Sequence, residues 1–131
     1  MKSIVNSPDL GLLLFRLFVG LTMAFAHGVG KLPPSEQMLA GVAGIGFPAP
    51  IVFAWAAALS EFLGGLFIAG GLFTRYSSLF LGFTMAVAGF VVHGADPFQK
   101  KELALIYLAS CVLLFFTGPG RFSLDARLRR L

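Results

Sequence analysis

Six side chains carry the acid–base or binding chemistry available inside an otherwise apolar chain: Arg16, His27, Lys31, Glu61, His93 and Glu102. They fall inside or at the rims of four long stretches built almost entirely of Leu, Phe, Ala, Gly and Val. A charge in hydrocarbon costs roughly 2.5 to 3.5 kcal/mol on insertion scales, so charges kept there pair with one another or line a site. A carboxylate beside a guanidinium can be a structural staple, or can hold a proton or a ligand. Two histidines and a carboxylate at a rim can anchor helix ends, exchange protons, hold a head group or bind a metal. No His-x-x-His or Glu-x-x-His spacing supports the metal.

The elements that must position these residues follow from composition. The chain has 131 residues, 57% hydrophobic and 12% charged, with mean hydropathy +0.87. A soluble domain of this size has too little interior for that much apolar surface. Lipid is the alternative solvent, and a span there is helical because hydrocarbon offers the backbone no partners. About 20 apolar residues cross a bilayer as helix. Spans are therefore expected over about 10–29, 50–73, 76–93 and 103–117. They predict one all-α domain over 1–131, an integral membrane four-helix bundle running up-down-up-down. Pro33-Pro34-Ser35-Glu36 reads as a helix start and Gly46-Phe47-Pro48 as a turn, which puts a short interfacial helix, or an irregular loop, between spans one and two. The tail 121–131 sets Leu124, Leu128 and Leu131 among Arg127, Arg129 and Arg130, an amphipathic pattern suited to a membrane surface.

The net charge of +4 forms no basic stripe among aromatics, so no nucleic-acid partner is expected. It reads as topology. Lys2, Arg75, Arg121, Arg127, Arg129 and Arg130 share one side, against Lys31, Lys100 and Lys101 on the other, which favours both termini inside the cell. Ala24-Phe25-Ala26 resembles a signal-peptide cleavage site, but Asp9 and Arg16 interrupt the segment, and a retained first span is expected. The single cysteine, Cys111, excludes an internal disulfide or thiol relay and reads as a small buried apolar side chain.

At 1.5 Å per residue, Arg16 lies about 10 Å and Glu61 about 17 Å from the inner rim, close enough for an extended arginine to reach. An Arg16–Glu61 ion pair between spans one and two is expected, as a staple or as a catalytic pair. Arg16 and His27, eleven residues apart, share a helix face with Gly20 and Met23. That strip could flank a slot for a flat lipophilic molecule such as a quinone, or simply pack a neighbouring helix. Gly64, Gly65 and Gly82 read as helix packing, and the hydroxyls of Thr22, Ser60, Thr84 and Ser110 as bonded to helix carbonyls. Candidate binding residues at the rim are His27, Lys31, His93 and Glu102.

The chain also echoes itself. Residues 17–26, LFVGLTMAFA, and 79–88, LFLGFTMAVA, agree at seven of ten positions, and a His-Gly follows each. Chance among apolar residues is one explanation; a duplicated hairpin with parallel first and third spans is the other, and such repeats place sites at their interface.

The ordered pieces Arg16-Leu17-Phe18-Val19-Gly20, His27-Gly28-Val29-Gly30-Lys31-Leu32, Gly46-Phe47-Pro48, Glu61-Phe62-Leu63-Gly64-Gly65, Gly70-Gly71-Leu72-Phe73-Thr74-Arg75, His93-Gly94 and Gly118-Pro119-Gly120-Arg121-Phe122-Ser123-Leu124-Asp125 resemble the DoxX family of small four-span bacterial membrane proteins. The resemblance implies a component of a membrane oxidoreductase system in the bacterial inner membrane. Some relatives reduce quinones in sulfur oxidation and others link redox enzymes as scaffolds. It implies a quinone as cofactor or substrate and a homo-oligomer or complex with other membrane or redox proteins. The sequence itself has no haem, flavin or metal motif, so a non-catalytic scaffold and a small transporter or lipid-binding protein stand as alternatives.

Overall fold

The computed structural model describes residues 7–131, and within them the chain is helical with no strand. Lys2, part of the charge asymmetry above, lies outside the described residues. The first helix, α1, spans Pro8–Thr22. Proline suits its first turn, where no N–H is needed, and the Ser7 hydroxyl accepts from Leu10 N. The rod continues through a wide π-helical turn, Met23–Gly28, and a tight 3₁₀ turn, Val29–Lys31. Helix α2 is Glu36–Gly44, capped by the Ser35 hydroxyl on Met38 N. Helix α3 is Pro50–Gly70 and ends where Gly71 turns left-handed at φ 68°. Helix α4, Thr74–Val87, runs into a second wide turn, Ala88–Val92. Helix α5 is Phe98–Thr117 and α6 is Leu124–Leu128.

Among the described residues, three helical stretches are long and apolar enough to cross a membrane: Pro8–Lys31, Pro50–Gly70 and Thr74–Val92. The α5 helix has the length, with 20 residues, but begins five residues before the expected Leu103 and so includes Lys100, Lys101 and Glu102 in its first turns. Phe18, Phe80 and Phe116 are 73%, 66% and 75% exposed, which lipid tolerates and water does not.

Small residues set the register. A Cβ on Gly20 would collide with Gly65 O and lie 2.6 Å from Ala69 N, while one on Gly28 would lie 2.5 Å from Phe62 N. Advancing along α1 therefore means retreating along α3, and the two are antiparallel. Ser60 bonds Thr84 and Gly64 faces Ser77 and Leu81, so α3 and α4 are antiparallel too. Gly82 meets Cys111, and Gly89 meets Leu105 of α5. Hence α1 and α4, the two echoing helices, run parallel. Met23 and Met85, equivalent in the echo, both enter the shared core with Val19, Ile68, Leu81, Tyr107, Cys111 and Leu114.

One end of the bundle is tied by the C-terminal segment. The Asp125 carboxylate accepts from Phe73 N at 2.7 Å and Thr74 N at 2.9 Å, capping α4 from 51 residues away. Asp125 N donates to Gly71 O, and Arg121 N donates to Asp9. Phe73 carries a left-handed φ of 46°, which a non-glycine residue adopts only when its surroundings hold it there. Asp125→Ala is expected to lower unfolding free energy by about 1–2 kcal/mol, the usual weight of an N-cap, read as a fall in melting temperature by circular dichroism in detergent.

Candidate functional site

The opposite end holds most of the polar groups that the sequence singled out, in a different arrangement from the one it suggests. Arg16 and Glu61 are both buried, at 0% and 3% exposure, yet they do not pair. Arg16 lies against Gly71, whose absent side chain leaves room for the guanidinium, and its Nη2 donates to Phe122 O at 2.6 Å. Ten residues of α3, about 15 Å of rise, separate Gly71 from Glu61, beyond the reach of an arginine. Depth counted by helical rise misleads here because the C-terminal segment folds beneath Arg16 and supplies a carbonyl at the bundle end. Within the described residues Arg16 Nε and Nη1, Thr74 Oγ1 and Ser78 Oγ have no hydrogen-bond partner at that end.

Glu61 is instead held by Lys31, whose Nζ donates to Oε1 at 2.8 Å and Oε2 at 2.7 Å. Gly28 makes this possible: with no Cβ it lets the last turns of the α1 rod touch α3 at Glu61 and Phe62, and Lys31 follows one turn later. The lysine is 42% exposed and the carboxylate 4%, so the pair runs from the surface into the interior.

A cavity of about 830 Å³ opens beside this pair, within the range of small-molecule sites. Its walls are apolar: Met38, Val42 and Ile45 from α2 and its end, Phe47 and Phe53 on one side, Phe80, Phe83 and Val87 of α4 on the other. Phe47 and Phe53 lie with ring centroids 4.7 Å apart. The polar groups of the wall are Lys31, Ser35, Gln37, Ser60, Glu61, Thr84 and His93. Lys31 and Glu61 stand at one position, and Ser60 bonds Thr84 at 2.8 Å in the wall. His93, which also lines the space, follows the wide turn of α4, and its Nδ1 lies 2.8 Å from Asp96 Oδ2. The His93 hydrogen bond holds the Asp96 carboxyl below the ordinary carboxylate range, against an opposing desolvation and with help from Lys100 and Lys101.

The remaining sequence candidates are elsewhere. His27 does not share the Arg16 face, because the wide turn at Met23–Gly28 breaks the eleven-residue phase; its ring stands edge-on to Tyr107, with centroids 5.7 Å apart. Gly20 is packed against Gly65 and Ala69, so the slot expected along Arg16, Gly20 and Met23 is filled by α3. Glu102 is exposed and does not line the cavity. The rim set of His27, His93 and Glu102 is thus dispersed, and no three His, Cys, Asp or Glu among the described residues are placed to hold a metal. Sequence reasoning missed Asp96 as the partner of His93, although the spacing of three residues signals it, and missed α2 as a wall of the cavity.

The chain is 32% identical over 132 residues to "Inner membrane protein YqjF" of Escherichia coli (strain K12), covering 93% of this chain and 95% of that protein. It is 29% identical over 121 residues to "Putative oxidoreductase CatD" of Bacillus subtilis (strain 168), covering 92% and 88% respectively. An uncharacterised protein of Haemophilus influenzae (strain ATCC 51907 / DSM 11121 / KW20 / Rd) is 32% identical over 122 residues, covering 85% of this chain and 88% of its own length. No solved structure matches. The DoxX family profile matches residues 11–94, which hold nearly all of the three long apolar stretches, α2, the Lys31–Glu61 pair and His93; this membrane protein belongs to the DoxX family.

Proposed function

We propose that this protein binds the head group of a membrane quinone in the cavity between α2, α3 and α4, as the quinone-interacting subunit of an oxidoreductase assembly. The observation that carries the reading is a cavity of about 830 Å³ with aromatic and aliphatic walls and a buried carboxylate held by a half-exposed lysine at one position. A flat ring fits between the phenylalanine walls, and Lys31, with three N–H donors and two of them on Glu61, keeps one for a ligand oxygen. The oxidoreductase name carried by the Bacillus relative accords with this. The one cysteine is buried, which leaves no dithiol to pass electrons, so the electrons come from a partner protein or a soluble reductant.

In this reading α1, α3, α4 and α5 form four spans of the bacterial inner membrane, with both termini inside and α2 lying at the outer interface. The placement rests on the Lys/Arg count, on Asp9 near the start of α1 meeting Arg121 of the C-terminal segment at the Arg16 end of the bundle, and on the inner-membrane relative. A scaffold that oligomerised through glycine faces would need Gly65 and Gly82 free, and both are engaged inside the bundle.

The test is Glu61→Gln in nanodiscs. Binding of ubiquinone-1 is expected to weaken at least tenfold while the melting temperature stays within a few degrees of wild type, since glutamine keeps the shape and loses the charge that orients Lys31. Unchanged affinity together with a lowered melting temperature makes the pair a staple and removes this reading.

A further inference from the structure

Among the polar groups that line the cavity, with Ser35, Gln37, Ser60 and Thr84, two stand as poles of opposite hydrogen-bonding character. At the Lys31–Glu61 pole the group free to meet a ligand is a donor, the third N–H of Lys31. At the other, His93 is turned by Asp96. A carboxylate only accepts, so the 2.8 Å contact puts the ring proton on Nδ1 and leaves Nε2 of the neutral ring as an acceptor. No protein hydrogen bond among the described residues reaches Nε2, and His93 is a wall of the cavity. Lys101 Nζ donates to Gly94 O, which fixes the turn that carries His93 against the start of α5.

We propose that His93, oriented by Asp96, accepts a hydrogen bond from a hydroxyl of the ligand, so that the cavity holds the dihydroxy form of a quinone more tightly than the dione. A hydroxyl at the His93 pole donates to Nε2, and the second ring oxygen at the far edge accepts from Lys31. The dione has acceptors at both edges and offers Nε2 no donor; the His93 side chain is 40% exposed, so the preference comes from the hydrogen bond that only the hydroxyl makes. No bond breaks in this step: it is recognition of one redox form. Asp96 is a positioning residue, acting on the ligand only through His93. The charged groups around His93 are Asp96 on the following turn, Lys100 and Lys101 at the start of α5, and Lys31 with Glu61 across the cavity. The inference rests on the quinone reading above and adds to it a preference between two forms of the same ring.

The experiment compares ubiquinol-1 and ubiquinone-1 binding, anaerobically, to the full chain in nanodiscs, with ¹⁵N spectra of labelled histidine recording which ring nitrogen carries the proton. Wild type is expected to prefer the reduced probe about tenfold and to show His93 protonated on Nδ1. His93→Phe, which keeps a ring of similar size, and Asp96→Ala should both bring the preference to within twofold of unity; Asp96→Asn, which retains an acceptor, should restore the Nδ1 proton and at least half of the preference on a logarithmic scale. In the His93→Phe background, Asp96→Ala should change nothing further. A wild type that binds both forms equally or favours the oxidised one, or a preference that survives His93→Phe, overturns the proposal and leaves the quinone reading standing. A wild type that binds neither form overturns the quinone reading and this inference with it.

Discussion

Gly20→Ala is expected to destabilise the bundle by about 3 kcal/mol, at the upper end of what overpacking costs, although it adds a single methyl group. A Cβ there would run into Gly65 O, 2.6 Å from Ala69 N and 2.9 Å from Ala69 Cβ. Two of these three atoms are backbone, so relief requires α1 and α3 to separate rather than a side chain to turn. Separation would also withdraw Gly28 from Phe62 and carry Lys31 away from Glu61. Gly11 on the same helix is the internal control: nothing lies within 4 Å of the place a methyl group would take, and alanine there should be neutral or stabilising by up to about 1 kcal/mol through helix propensity. Unfolding in mixed micelles, followed by circular dichroism, separates the two. Equal loss at both positions would mean that backbone entropy, not the α1–α3 contact, governs the result.

Lys31→Met is expected to cost about 2–3 kcal/mol, and more than the double variant Lys31→Met/Glu61→Gln. Removing one partner of a buried pair strands the other, which ordinarily costs about 3–5 kcal/mol; the lysine side chain is 42% exposed, so water offsets part of that. The second substitution takes away the stranded charge, and most of the lost stability should return. The four proteins form a double-mutant cycle, read from their unfolding curves in the same micelles. Additive single effects would show that Lys31 and Glu61 do not depend on one another, against the 2.7–2.8 Å contacts that join them.

Which parts of this structure can be read from the residues follows from how local the governing forces are. Lipid imposes long apolar runs, and Pro8, Pro50, Gly71 and Gly118 punctuate them, so the helices around 10–29, 50–73 and 76–93 fall where hydropathy puts them. Ser35 and Glu36 announce α2 by the same local logic of capping. The contacts between elements are less accessible. Asp125 caps α4 across 51 residues, and nothing in the tail's own pattern marks it as a cap. Arg16 is ruled out by depth, since it meets Gly71 ten residues from Glu61, and Lys31 follows a wide turn at Met23–Gly28, beyond which helical phase counted at 3.6 residues per turn goes wrong. Glu61 itself stands out because a carboxylate amid apolar residues needs a partner; the partner's identity needs the third dimension.

The wide turns of α1 and α4 occur at the same end of two parallel rods, the end where the cavity lies, while the other end is stitched by Asp9, Arg16 and Asp125. A π turn stretches its hydrogen bonds over one residue more than the rest of the helix and marks a place where a rod bends. The molecule is therefore built like a clothes-peg: a stiff, riveted butt at one face of the bundle and two pliant jaws at the other. Under the proposed ligand binding, differences in the girth of a guest would fall on the jaws, and the rivets at the far face would stay as they are.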